Sequence, residues 1–522
     1  MTATLPMPLT DPAKAHTVAA IDVGSNAIRM VIAQIGADGK AETLENLQRA
    51  VPLGQDCFPD GHIHPETINL AIEVLRGYQA IMAPYKVDRL RAVATSAVRE
   101  AVNRDLLIER VYMATGISIE VVTGAEEDRL LYNAVRNAFQ PGKLNLDETS
   151  LIVELGSGSA ELSMFRGGGI IYNGSFPLGT IRLRNAIQSA HRTPQENVEL
   201  IRRYIGPTLD VIEHSSPLGD VRNFISVGGD VRFAASQAGR GDPDEPRVKT
   251  IRRRDFLKLA DALGKLTVEE IARQYWLPIQ DSEALGAALV VYAEMLNRTA
   301  AREIIVPYVS MRDGLILDFI AEQTGQGLDE AERLVYSAAE NLGQRYQYDE
   351  AHARHVATLS VRLFDLLAAE HRLGRRERRL LRVAALLHDI GNFVSNRSHH
   401  KHSEYLIAAS DLFGMRPDEK ALAGCIARYH RRSIPKPTHT AYMALSRQDR
   451  ATVSKLAAIL RVADALDRSH SHKIQNIDLE LTRDEMILKL NTREDLTLER
   501  LAMRAKGDLF AEVFGRKVVL QN

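Results

Sequence analysis

The chain has 522 residues, enough for several domains with a sizeable core, and 45% apolar with 25% charged residues is an ordinary globular composition. A formal net charge of -1 does not imply a general polyanion-binding surface, so a long anion would need local basic patches, and no specific nucleic-acid binding is expected. No run of about 18 apolar residues marks a membrane span, and the two distant cysteines, Cys57 and Cys425, argue against a disulfide framework and for the reducing cytoplasm.

Residues 1–16, MTATLPMPLTDPAKAH, read as a disordered leader without the apolar stretch of a signal peptide. Val18–Ile21 then runs into Asp22-Val23-Gly24-Ser25-Asn26, followed by Ile28–Ile32: strand, acid, small turn, strand. Ala41–Asp60 reads as loop-rich, and Pro65–Pro84 has helical spacing, with Ile68, Ala71, Val74 and Leu75 on one face. Leu90–Ala94 is a short buried strand that delivers the hydroxyls of Thr95 and Ser96 and the guanidinium of Arg99. These groups suit a phosphate; a capped helix start with a solvated arginine is the plainer alternative. A further strand, Ile117–Val122, enters a helix through Thr123-Gly124-Ala125-Glu126-Glu127-Asp128. A carboxylate at such a junction can orient an attacking water, although acids in a first helical turn also simply complement the dipole. Gln140–Thr149, with Pro141 and Gly142, is a polar loop expected to separate two lobes.

The strand, acid, turn, strand pattern then repeats in Ser150–Met164, SLIVELGSGSAELSM. Leu151–Val153 leads to Glu154, the turn is Gly156-Ser157-Gly158-Ser159, and Glu161 follows. A buried strand that ends in a Gly/Ser turn lets backbone N–H groups and hydroxyls approach an anion closely, because no Cβ intervenes. Carboxylates on either side can hold a divalent cation against that anion. Further on, Arg182 either faces the anion or starts a helix, and Phe224–Val227 is a buried strand ending in Gly228-Gly229-Asp230, where Asp230 reads as a helix N-cap. Arg252–Arg254 reads as a solvated helix start.

The duplicated unit resembles the acetate-kinase, sugar-kinase, Hsp70 and actin superfamily. Within it, the chain is similar to the exopolyphosphatase and guanosine pentaphosphate phosphohydrolase family over about 300 residues. The matching segments are ATSAVREA (94–101), TGAEEDRL (123–130), ELGSGSAE (154–161), PLGTIRL (177–183), the Gly228-Gly229 turn and VSMRDGL (309–315). The resemblance implies two phosphate loops. One comprises Asp22, Gly24, Ser25 and Asn26; the other comprises Gly156, Ser157, Gly158 and Ser159, with Thr95, Ser96, Arg99, Gly228 and Gly229 alongside. It implies Glu127 as the catalytic carboxylate, with Glu126 as the neighbour to be distinguished from it, and Asp22, Glu154 and Glu161 around Mg²⁺ or Mn²⁺. Departures from the family pattern are Glu154 for Asp, Ser157 for Gly, Ala160 for Thr, Asp230 for Thr or Ser, and Asp128 for a small residue. The longer Glu154 puts metal preference in question, because Mg²⁺ demands near-ideal octahedral geometry.

Beyond about 325 the texture is helical. His355, the His388-Asp389 pair after an apolar helix, and Asp464 resemble the HD-domain signature. Imidazoles and carboxylates that converge suit a transition metal, so a second divalent ion is one expectation here. His399, His400, His402 and His430 would complete such a site, or line a basic anion groove with Lys401, Arg428, Arg431 and Arg432. In long members of the resembling family this region is instead a helical binding and dimerisation domain. The arginines at 372, 375, 376, 378 and 379 read as a solvated helix face. Ile477–Leu481, Glu485–Leu490 and Lys517–Leu520 read as strands around a helix, Leu496–Phe514.

The expected fold is α/β. Two ribonuclease-H-like, actin-like lobes (17–135 and 136–320) follow the leader and precede an all-α HD-like domain (321–473) and a small α/β unit (474–522). The resemblance implies release of orthophosphate from inorganic polyphosphate by a cytoplasmic homodimer. Guanosine pentaphosphate 5′-phosphohydrolysis, an HD-type nucleotide phosphohydrolase and a non-catalytic polyphosphate-binding regulator are the alternatives.

Overall fold

The computed structural model describes residues 15–140, 142–145, 147–187, 192–431, 433–490, 492 and 494–521. Most of the expected leader, together with Pro141 and Arg432, lies outside the described residues. The chain divides into two compact units, Met1–Glu330 and Ala331–Asn522.

The first unit contains two lobes. The first lobe runs β1 (His16–Val23), β2 (Ala27–Ile35), β3 (Ala41–Ala50), α1 (Leu53–Asp60), α2 (Pro65–Tyr85), β4 (Arg89–Ala94), α3 (Ser96–Glu100), α4 (Arg104–Thr115), β5 (Ile119–Val121) and α5 (Gly124–Asn137). Its sheet order is β3-β2-β1-β4-β5, antiparallel across the first three strands and parallel thereafter. β1 is central and is covered on both faces. Ala19, Ile21 and Val23 pack with residues of α2 and α4, and Val18 and Ala20 with Leu130, Leu315 and Phe319, so the strand reads as an unbroken apolar run.

The second lobe repeats the plan. It runs β6 (Ser150–Leu155), β7 (Ala160–Arg166), β8 (Gly169–Phe176), α6 (Thr180–Ile187), α7 (Pro194–Ser215), β9 (Asn223–Val227), α8 (Gly229–Ala238), β10 (Arg240–Asp242), β11 (Glu245–Arg252), α9 (Arg253–Leu263), α10 (Val268–Tyr275), α11 (Ile279–Asn297), β12 (Glu303–Pro307) and α12 (Met311–Thr324). The sheet order is β10-β11-β12-β9-β6-β7-β8, with β6 antiparallel to β7 and parallel to β9. α12 returns to the first lobe and crosses α5 so closely that a Cβ on Gly314 would lie 2.1 Å from the Leu130 carbonyl oxygen. Around that crossing Arg129 pairs with Glu126 and Asp318, and Arg91 pairs with the same two acids.

The second unit is helical, with a three-stranded sheet near its end. After α13 (Leu328–Arg345) come α14 (Glu350–Leu366), α15 (Ala368–His371), α16 (Arg375–Leu387), α17 (His399–Ala409), α18 (Pro417–Arg428), α19 (Thr440–Met443), α20 (Arg447–Leu466), β13 (Ile477–Leu481), β14 (Glu485–Leu490), α21 (Thr497–Lys506), α22 (Asp508–Phe514) and β15 (Lys517–Gln521). No helix among the described residues is long and apolar enough to cross a membrane.

Several local expectations change. The stretch 41–60 is an edge strand and a helix, not loop; β3 has most of its residues exposed on both faces, so it lacks the apolar alternation that reveals a strand. The helix expected over 496–514 breaks at Gly507, whose Cβ position is only 2.9 Å from the Met503 carbonyl oxygen. Gly228, not Asp230, is the N-cap of α8, and its φ of 128° is one that glycine alone adopts readily. Arg253 is not merely solvated, since it donates to the carbonyls of Thr299 and Ala301. The arginine cluster of α16 is ion-paired, Arg375 with Glu332, Arg376 and Arg379 with Glu419, and Arg378 with Asp365.

Gly314→Ala is expected to lower the stability of the first unit by about 1–3 kcal/mol, because backbone cannot move aside as a side chain can. Thermal unfolding of the variant checks this; an unchanged midpoint would mean that the α5–α12 crossing is slack.

Candidate active site

The two hairpins carry the expected residues in equivalent places. In the first, Asp22 stands opposite Arg29 across β1 and β2, with Nη1 3.3 Å from Oδ2. In the second, Glu154 stands opposite Glu161 across β6 and β7. Each turn closes through its glycine: the Gly24 N–H donates to Ala27 O at 3.1 Å, and the Gly156 N–H donates to Ser159 O at 2.9 Å. Arg29 was absent from the sequence-derived site. Its signal was available in the antiparallel register, which puts the residue seven beyond Asp22 across from it.

The lobes meet at these turns. The hydroxyls of Ser25 and Ser96 lie 3.0 Å apart and are buried, which joins the first turn to the start of α3. Gly158 sits against the same serine: a Cβ there would be 2.4 Å from Ser96 Oγ and 2.3 Å from the Phe58 ring. The carbonyls of Gly156 and Ser157 accept from Thr180 and Ile181 at the start of α6, and Gly158 O accepts from Arg182 Nε at 2.7 Å. Arg182 therefore holds the turn. Its guanidinium also lies over Phe58 and pairs with Glu100 of the facing lobe. Tyr292 ties the ends of β6 and β9 together, its hydroxyl accepting from Leu155 N at 3.0 Å and donating to Val227 O at 3.1 Å, next to Gly228 and Gly229. Thr95 is the N-cap of α3. Asn26 is exposed, whereas Ser159 is buried.

The two candidate glutamates part company on α5. Both oxygens of Glu126 are taken by Arg129 and Arg91; these cations overcome the cost of burial and hold its carboxyl at about 2. That environment keeps Glu126 in the ion network behind the sheet. Glu127 instead pairs with Arg99, which also donates to Val122 O at 2.8 Å and lies 4.0 Å from Glu161 Oε1. Burial, with Glu161 nearby, pushes Glu127 up to about 8 against the pull of Arg99. Burial pushes Glu154 up to about 7, assisted by Asp22 and Glu161. Asp128, which the sequence offered only as a minor departure, belongs to the same group: it is buried, and its carboxyl is raised well above the usual range by burial and Glu161. Asp230 is raised to about 6 by burial, against Arg232.

Arginines stand beside this acidic group. Arg312 donates to Asn46 Oδ1 at 2.9 Å and Arg232 to Val309 O at 3.2 Å. Burial lowers Arg312, Asp22 opposes that, and Arg29 and Arg232 add to it, which marks the three cations as neighbours. Among the described residues, every group of three acidic, histidine or cysteine side chains whose ligand atoms lie within 4.8 Å of one another is in the second unit. Asp22 and Glu161 are thus close enough to Glu154 to raise its proton affinity, but the three do not form a closed protein cage.

In the second unit, His388, Asp389 and Asp464 converge as expected, but the histidine from α14 is His352, not His355. His355 lies one turn away with Asp467 and His472. His399 and His430 join Asp389 from α17 and the end of α18. Arg428 is paired with Glu404.

Residues 31–323 match the model of the Ppx/GppA phosphatase family, and residues 336–509 match that of Ppx/GppA phosphatase, domain III. The chain belongs to the Ppx/GppA phosphatase family and is a hydrolase of phosphoanhydride bonds. A guanosine-5′-triphosphate,3′-diphosphate pyrophosphatase from Aeromonas hydrophila is 25% identical over 476 residues, 90% of this chain and 92% of the relative. A family member from Aquifex aeolicus matches with a TM-score of 0.51 and 25% identity over 60% of this chain and 99% of its own. An exopolyphosphatase from Cytophaga hutchinsonii shares the fold, with a TM-score of 0.54 and 23% identity over 58% of this chain and 98% of its own.

A carboxyl raised in the folded state costs stability once ionised, so the Glu154 contribution falls as pH climbs from its ordinary value of 4.5 through about 7. Glu154→Gln is therefore expected to raise the unfolding temperature at pH 8 in metal-free buffer, by roughly 2 °C or more, and to change it little near pH 4.5. Thermal scans at the two pH values check this; equal effects at both would overturn it.

Proposed function

We propose that the cleft between the lobes removes terminal orthophosphate from inorganic polyphosphate. The reading is carried by the Arg99–Glu127 pair, a cation and a carboxylate held next to two Gly/Ser turns. With its carbonyls tied back to α6, the second turn has N–H groups left for phosphate oxygens, and Ser25, Asn26 and Ser157 add side-chain donors. Arg29, Arg232 and Arg312 meet further negative charge on the chain of phosphates.

Glu127 orients the attacking water and accepts its proton. Its raised affinity places that step near neutrality, with the active carboxylate gained as pH rises towards about 8. Arg99 keeps Glu127 aimed and supplies a fixed positive charge beside the phosphoryl oxygens. The oxygen-only donor set of Asp22, Glu154 and Glu161 suits Mg²⁺, which usually binds through one or two carboxylates, its own waters and substrate phosphates. Bound there, the ion would neutralise the phosphate charge. The crowding of these acids fits such a cation, because Asp22 and Glu161 stand close enough to Glu154 to raise its proton affinity.

Glu127→Gln is expected to lower kcat for orthophosphate release about 10²–10⁴-fold while KM changes little. Full activity in the variant would remove Glu127 from the chemistry. Arg29→Ala and Arg312→Ala are expected to raise KM with smaller effects on kcat and to weaken the salt dependence of binding. A kcat effect alone would sink that assignment.

Guanosine pentaphosphate 5′-phosphohydrolysis is the second reading, favoured by the near full-length similarity to the Aeromonas hydrophila protein. Orthophosphate release measured on both substrates decides between them. A higher kcat/KM on polyphosphate supports the first reading, and the reverse supports the second. In either case Glu127→Gln loses both activities.

A further inference from the structure

The histidine cluster of the second unit is oriented for metal. Four imidazoles from four helices and their ends have one ring nitrogen occupied and the other turned inward. His388 Nδ1 donates to Ala385 O at 2.7 Å, His430 Nδ1 to Ala427 O at 2.7 Å and His399 Nδ1 to Asn396 O at 3.2 Å. His352 Nδ1 donates to Asp467 Oδ2 at 2.7 Å, and Asp467 is itself fixed by the His472 N–H at 2.9 Å. With Nδ1 protonated, each Nε2 carries a lone pair. This backing of a ring by a carbonyl or carboxylate is how metal-binding histidines are held.

The four Nε2 atoms converge on Asp389. His399 and His430 approach its Oδ1 at 3.1 and 3.3 Å and each other at 3.2 Å, while His388 Nε2 lies 3.8 Å from its Oδ2. His352 Nε2 lies 3.8 Å from Asp464 Oδ1 on the far side, and the other oxygen of Asp464 is paired with Lys506. The Nε2 atoms of His352 and His388 are buried without a hydrogen-bond partner, and the two side chains are 1% and 0% exposed. Lone pairs that face one another in a buried space repel, and an unmatched buried acceptor costs about 1–3 kcal/mol. One kind of guest removes every one of these costs, a cation that accepts electron pairs.

We propose that the second unit binds two divalent transition-metal ions that share Asp389. One position is made by His352, His388 and Asp389, with Asp464 beside it; the other is made by Asp389, His399 and His430. Imidazole-rich donors select Mn²⁺, Fe²⁺, Co²⁺, Ni²⁺ or Zn²⁺ over Mg²⁺. Three protein ligands at each position leave room for water or an oxyanion. The site is distinct from the acidic cleft and does not rest on the substrate assigned there.

The test uses the full-length protein, stripped with chelator and titrated with Co²⁺ or Mn²⁺, with bound metal counted after desalting and with Mg²⁺ as the comparison. Wild type is expected to retain about two equivalents of transition metal against excess Mg²⁺. His388→Ala is expected to lose the first equivalent, His399→Ala with His430→Ala the second, and Asp389→Asn both. Glu127→Gln and Glu154→Gln are expected to retain both. Far-ultraviolet circular dichroism identifies any variant that fails to fold, and His430→Gln, which keeps the ring volume largely filled, then serves in its place with loss of one equivalent. The proposal is overturned if wild type retains no Co²⁺ or Mn²⁺, if folded histidine variants retain as much as wild type, or if Glu154→Gln removes the same metal.

Discussion

The first unit depends on a shortage of positive charge. Asp22, Glu127, Asp128, Glu154 and Glu161 converge from both lobes, and Arg99 is the cation shared by two of them. The α5–α12 crossing shows the other regime: there Arg91 and Arg129 match Glu126 and Asp318, and the outcome is a fixed junction in which the Glu126 carboxyl is held ionised. Two adjacent residues, Glu126 and Glu127, thus serve opposite ends because successive helix positions point about 100° apart.

Glycine sets the tolerances that make this convergence work. Gly158 lets the second turn rest against Ser96, and a Cβ on Gly179 would lie 2.2–2.4 Å from the backbone of Gly158. The second turn thus packs against its own lobe through backbone and against Phe58 and Ser96 of the first lobe through side chains, and a larger residue at Gly158 would push the two lobes apart there.

Much of this was legible in the chain. The apolar runs ending in Asp22 and Glu154 gave both hairpins, because strands covered on both faces leave continuous hydrophobic stretches. β3 was not legible, since an exposed strand has no core face to declare itself. His352 and His355 lie on one helix at a spacing of three, and nothing local says which of them meets the His388-Asp389 pair; Asp467, 115 residues from His352, neighbours both, and only the packing of α14 against α16 decides it. Arg232 and Arg312 were likewise out of reach, because they arrive at the cleft only through the parallel strand order of the second lobe. Asp128 looked incidental because its significance lies in Glu161, which comes from the other lobe.

The outermost strand of the first sheet carries a consequence of its own. β3 presents one row of backbone donors and acceptors to solvent, the template on which sheets of separate molecules fuse. Glu42, Glu45, Gln48 and Arg49 stud that strand on both faces, so docking a foreign strand would strip water from charged groups that gain no partners. The same polarity that hid β3 in the sequence guards the sheet against edge-to-edge aggregation at the high concentrations of a crowded cell.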